Sequence, residues 1–181
     1  MTDTISVIGI DPGTHFTGIA LVEIRNGLLY LEHVETVDAN RLNNDTVTLQ
    51  YLHDERFTRI IGITSYVKDF VVNTSPHFVC CEKNHLSKFP QAGLVLGELI
   101  SSIRYAIYNE LPYLRFELAE ASAVKKNIGV KGNSGNKLDM TEAVLNQNLN
   151  INSNIDIAAL DEHSIDAIAI ALFKCYDLID I

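Results

Sequence analysis

The sequence predicts an α/β fold, a five-stranded mixed sheet with helices on both faces. Three observations carry this. The chain opens on three strand-like runs, and the first, Ile5–Ile10, is almost wholly apolar, as a strand covered on both faces must be. Two further short strand-like runs, 77–82 and 114–119, alternate with helix-like segments. The closing segment is apolar from Ala167 to Leu172, so it must lie against the sheet.

Taken in order, Ile5–Ile10 is followed by strands Gly18–Ile24 and Leu28–Val37. Arg25-Asn26-Gly27 between them is a hairpin signal. Residues 41–46 form a polar loop. Thr46–Val72 reads as one long helix, with apolar residues at Leu49, Leu52, Phe57, Ile60, Ile61 and Val67, and Thr74-Ser75-Pro76 ends it. The fourth strand, 77–82, finishes on Glu82. Pro90 suits the first turn of a helix that runs to about Leu111. The fifth strand, 114–119, precedes a short helix over Ser122–Asn127. A glycine-rich polar loop spans 129–137, and helices are expected at about 138–149 and 161–178.

The 181 residues suit one domain, 1–181, long enough to bury one sizeable core. No apolar run reaches the ~18 residues of a membrane span, and the opening residues lack a basic, hydrophobic leader. A cytoplasmic location with no membrane partner is expected. Cys80, Cys81 and Cys175 have no ligand spacing and read as buried thiols of a reducing compartment. Net charge is −9, which as a total argues against a nucleic-acid binder. Its distribution is uneven. From Lys83 to Lys137 eight bases meet four acids, a balance of +4, while the rest of the chain carries −13. The basic middle is suited to a polyanion, although a solvated face is the commoner cause of such asymmetry.

The chemistry-bearing signal is a set of acids at element ends. Asp11 closes the first strand just before Pro12-Gly13, and Glu82 closes the fourth. A carboxylate there is costly to bury unless it is paired or holds a cation. His163 and Asp166 are three apart at the start of the closing helix and share a face. Three acids and one histidine make an oxygen-rich donor set that suits Mg²⁺ or Mn²⁺ better than zinc. Each residue also has a plainer reading. Asp11 caps a turn, Glu82 pairs with Lys83 or Lys88, and His163 sits on the surface. Asp161 and Glu162 favour the helix start.

The stretches "IGIDPGTHFTGIAL", "CCEKNHL", "VKKNIGVKGNSGNK" and "HSIDAIAIAL", together and in this order, resemble the RuvC-type Holliday junction resolvases, which have the RNase H-like fold. The resemblance runs from Ile8 to about Leu172. It implies a metal-binding quartet at Asp11, Glu82, His163 and Asp166, holding two Mg²⁺ ions for which Mn²⁺ substitutes. It also implies family lysines at Lys125 and Lys137, with Lys131 an alternative register in the same loop. The family often carries an aromatic residue shortly after the glutamate. Here that place is His85, with Phe89 four further on.

The implied activity is hydrolysis of four-way DNA junctions by two symmetric cuts. A homodimer would match that symmetry, with the helix at 90–111 as interface. Expected DNA contacts are Lys83, His85, Lys88, Phe89, Lys125, Lys126, Lys131 and Lys137. The acidic balance and the brevity are similar to those of phage-encoded members, which act on branched DNA more broadly and would work in the host cytoplasm. The alternatives are a nuclease for forks, flaps and three-way junctions, and a junction-binding protein without catalysis. An ATPase lobe, which would use a nucleotide, is disfavoured by length and by the lack of a second phosphate loop.

Overall fold

A computed structural model of the chain describes residues 4–42, 51–84, 90–130 and 137–179. Strands β1 (Thr4–Asp11), β2 (Phe16–Arg25) and β3 (Leu28–Asp38) form an antiparallel meander. Asn26 and Gly27 make the β2–β3 turn, both with positive φ (52° and 76°), which matches the twist of the flanking strands. Helix α1 (Glu55–Thr74), strand β4 (Phe78–Glu82), helix α2 (Pro90–Glu110) and strand β5 (Arg115–Ala119) follow. β4 lies parallel to β1, and β5 parallel to β4. The chain continues through helices α3 (Ala121–Asn127) and α4 (Lys137–Leu145), strand β6 (Leu149–Ile151) and helix α5 (Glu162–Ile179).

Among the described residues the sheet is therefore six-stranded, in the order β5-β4-β1-β2-β3-β6, rather than five-stranded. The extra strand has three residues and pairs parallel with Leu29–Leu31 at the edge. Three residues are too few to show alternation, so the end of the expected 138–149 helix conceals it. The long helix expected over Thr46–Val72 is also corrected. Asp54 is extended, and its side chain accepts a hydrogen bond from the Phe57 backbone N–H, so it caps a new helix at Glu55. Tyr51 and Leu52 are helical ahead of that break, and 43–50 lie outside the described residues.

Helices cover both faces. Alternate residues of β1 go to opposite sides: Val7 joins Cys80, Ala20 and the α5 residues Ile165, Ile168 and Leu172. Ile8 and Ile10 join Val79, Cys81 and the α1 and α2 residues Ile63, Val67, Leu99 and Ile103. This two-sided burial is why β1 reads as an unbroken apolar run. No described helix is long and apolar enough to cross a membrane.

The packing of α5 positions everything that follows. It lies across β1 and β2 at backbone contact distance. A Cβ on Gly9 would collide with the Ala167 carbonyl oxygen and the Ala171 amide, and one on Gly18 with the His163 carbonyl oxygen. Ala167 and Ala171 keep the helix side equally thin, both fully buried. Gly18→Ala is expected to push α5 off the sheet and to cost about 1–3 kcal/mol of stability, as overpacking does. The urea unfolding midpoint reads this, and an unchanged midpoint would mean that the helix retreats freely.

Candidate metal-binding active site

Asp11 and Glu82 are brought together by strand register. β1 and β4 are parallel, with Ile10 opposite Cys81, so the next residues on the two strands stand side by side at the sheet end. Both belong to the same parity as Gly9 and Cys80, the face under α5. Asp11 is also the cross-strand partner of Gly18, the residue over which the His163 backbone passes. The two glycines therefore set α5 down with its first turn beside the two carboxylates.

A polar latch fixes that turn. Asp161 caps α5, its Oδ1 accepting from the Ser164 backbone N–H at 2.9 Å. The Thr36 hydroxyl on β3 donates to the same oxygen at 2.5 Å and lies 2.8 Å from the Ser164 hydroxyl. Burial pushes the Asp161 carboxyl up, but the hydrogen bonds from Thr36 and Ser164 outweigh it and leave the group below its usual range. On the other side of Asp11, the Thr17 hydroxyl, fully buried, donates to the Gly13 carbonyl at 2.7 Å and clamps the Pro12-Gly13 turn.

Within this frame His163 Nδ1 lies 2.8 Å from Asp11 Oδ2, and the half-exposed Phe16 ring stacks on the imidazole with centroids 5.9 Å apart. The hydrogen bond to Asp11 raises the histidine above its ordinary pKa. Glu82 rises to about 7, chiefly because it is withdrawn from water, then because the charges of Asp11 and Asp166 oppose its ionisation. Asp166 rises to about 6 for the same reasons, burial first and Asp11 second. Lys125, exposed on α3, works against both shifts.

Asp11, Glu82, His163 and Asp166 are thus electrostatically one cluster. Its two raised carboxyls lack enough positive charge to ionise at their ordinary pH, the imbalance a divalent cation would relieve. The donor set, carboxyl oxygens with one imidazole, fits a hard ion. Among the described residues no three His, Cys, Asp or Glu side chains are already closed around a common point. A cation would compete with the Asp11–His163 hydrogen bond for its donors.

The expected lysines divide. Lys125 is at the site. Lys126 is its exposed neighbour on α3. Lys83 pairs with Glu120 at 2.6 Å and not with Glu82. For Lys137 only the backbone is described, at the first position of α4. His85, Lys88, Phe89 and Lys131 lie outside the described residues. Sequence reasoning missed Phe16, Thr36 and Thr17 as supports of the cluster. Thr36 lies 125 residues from Asp161, and no local pattern announces such a contact.

Comparison with known proteins agrees with this architecture. The sequence model of the family described as "Crossover junction endodeoxyribonuclease RuvC" matches residues 7–174. The RuvC protein of Bdellovibrio bacteriovorus is 25% identical over 173 residues, 95% of this chain and 90% of that one. The structure of Thermus thermophilus RuvC in complex with a Holliday junction substrate superposes with a TM-score of 0.74 at 19% identity, covering 97% of this chain and 96% of that one. The yeast mitochondrial Holliday junction resolvase superposes with a TM-score of 0.66 at 13% identity, covering 96% and 77%. These two structures share the fold. The family match spans both strand-end carboxylates and the closing helix, and the chain belongs to the RuvC family of crossover junction endodeoxyribonucleases.

Proposed function

We propose that the Asp11, Glu82, His163 and Asp166 cluster is where this endonuclease hydrolyses the phosphodiester when it resolves Holliday junctions. The observation that carries the reading is the convergence of three carboxyls and one imidazole from β1, β4 and α5, with two carboxyls raised by burial and by each other. A protein that only bound DNA would gain nothing from gathering acids that repel phosphate.

Family membership implies dependence on a divalent metal. We take the group to be a pair of Mg²⁺ ions, for which Mn²⁺ substitutes, held by Asp11, Glu82, His163 and Asp166. When bound, such ions lower the pKa of the attacking water and neutralise charge on the phosphate. The chain's own residues do the rest. Phe16 holds the imidazole plane, and the Thr36–Asp161 latch holds the helix turn that carries it. Lys125 supplies positive charge beside Glu82 and Asp166, and Lys137 is assigned to the scissile phosphate. The cut leaves a 5′-phosphate and a 3′-hydroxyl. Lys126, Lys131, Lys83 and Lys88 contact neighbouring phosphates, with His85 and Phe89 near the junction centre.

A four-way junction requires two symmetric cuts, which a two-fold dimer provides. Helix α2 offers the surface. Leu94, Tyr105 and Tyr108 are 64%, 68% and 60% exposed, and at these spacings they fall on one side of the helix. The three cysteines are buried and unpaired, which fits the reducing cytoplasm.

Three outcomes test this reading. Asp11→Asn and Asp166→Asn should each lower junction cleavage at least about 100-fold while junction binding persists. Cleavage surviving either change removes that residue from the site. Holding a cation requires Glu82 and Asp166 as carboxylates and His163 neutral, so apparent Mg²⁺ affinity should climb as pH rises through 6 to 7. Lys125→Gln, which removes a charge favouring the ionised forms, should move that climb to higher pH. A flat profile would contradict the assignment of these residues. Light scattering at micromolar protein should give a dimer mass, and Leu94→Glu with Tyr105→Glu a monomer. A wild-type monomer would sink the α2 interface.

A further inference from the structure

A concavity opens at the same end of the sheet as the Asp11 cluster, on the opposite face. It has a volume of about 500 Å³, within the range of small-ligand pockets. One side is the Pro12-Gly13-Thr14 turn, the residues directly after Asp11. Another is α1, which presents Arg56 and Arg59, and the third is the apolar start of α2 with Ala92, Val95 and Leu96. Arg56 and Arg59 are three apart and share one helical face. Arg59 Nη1 bonds Glu55 Oε1 at 2.5 Å, and Arg56 Nε stands 3.8 Å from Glu98 Oε2. Neither glutamate lines the concavity, and among the described residues its charged walls are cationic. The Arg56 contact is long and both partners are about half exposed, so water screens it and little is lost when Arg56 turns to another anion.

We propose that this concavity is a binding subsite for one nucleotide unit of the DNA strand, with its phosphate on Arg56 and Arg59 and its sugar and base against Ala92, Val95 and Leu96. The combination selects the ligand class. Two guanidiniums suit a phosphate, since each offers a planar fork of donors. Three aliphatic side chains beside them suit a ring or sugar face rather than a second charge. The Pro12–Thr14 turn forms a wall of this concavity and also follows directly on Asp11, so a strand held here is anchored next to the residue assigned to the cut. The inference rests on the reading that the Asp11 cluster acts on DNA. It adds two arginines from an otherwise acidic part of the sequence to the DNA face.

Binding measured in EDTA separates the subsite from catalysis. Arg56→Gln, at an exposed position, should weaken four-way junction binding roughly tenfold. It should also lower the dependence of log affinity on log salt by about one. Ala92→Trp, which fills the concavity and leaves the charge unchanged, should weaken binding comparably. Wild-type melting midpoints establish that both variants fold. Wild-type affinity and salt slope in both would overturn the subsite even where Asp11→Asn abolishes cleavage. Cleavage by Asp11→Asn would instead overturn the active-site reading and leave the binding result standing. Stabilisation by free deoxynucleoside monophosphate, lost in Arg56→Gln while junction affinity is unaltered, would overturn the strand subsite in favour of a free nucleotide.

Discussion

The contact between α5 and the sheet at Gly9 and Gly18 is the constraint on which the site depends. Helices usually stand off a sheet by the length of their side chains. Here two glycines on adjacent strands, with alanines opposite, let the helix backbone rest on the strand backbone. Only at that separation does the first turn of α5 reach the ends of β1 and β4. His163 then meets Asp11 at 2.8 Å, and Asp166 enters the field of both strand-end carboxylates.

Assembling this cluster costs free energy, and the fold supplies it nearby. Raising Glu82 to about 7 and Asp166 to about 6 corresponds to a few kcal/mol of unfavourable charge burial. Ile165, Ile168, Ile170 and Leu172 on the same helix are almost wholly buried. Each contributes roughly 1.5–3 kcal/mol by leaving water. Apolar burial along α5 therefore opposes the electrostatic penalty at its start. The latch from Thr36 through Asp161 to Ser164 fixes the register of the turn, so the helix cannot slide to relieve the repulsion. The result is a cluster of acids whose ionisation a nearby positive charge would favour.

Charge around the site is segregated by element. Lys125 and Lys126 project from α3 on the α5 side of the sheet, and Arg56 and Arg59 from α1 on the other. The acids outnumber the bases over the whole chain, yet bases flank the strand end from both faces. A net charge of −9 is thus compatible with a DNA-cutting protein, because screening confines each charge to its own neighbourhood of about 10 Å at 0.1 M salt. Net charge sums over surfaces that never face the same partner.

The sequence by itself determined what depends on short-range pattern. The unbroken apolar run of β1, the Asn-Gly hairpin, the apolar helices and the carboxylates at element ends were all legible, and with them the fold class and four candidate donors. Where a local rule has a rival, the sequence was ambiguous. Asp54 could cap a helix or ride within one, and "LNI" at 149–151 is too short to declare itself a strand. What only the tertiary structure decided was proximity. The hydrogen bond of Asp11 to His163 spans 152 residues and that of Thr36 to Asp161 spans 125. The pairing of Lys83 with Glu120 rather than Glu82, the stacking of Phe16 on His163 and the arginine-lined concavity are likewise invisible along the chain. The physical reason is that periodicity reports which way a side chain points, whereas the distance between two elements is set by the bulk of everything packed between them.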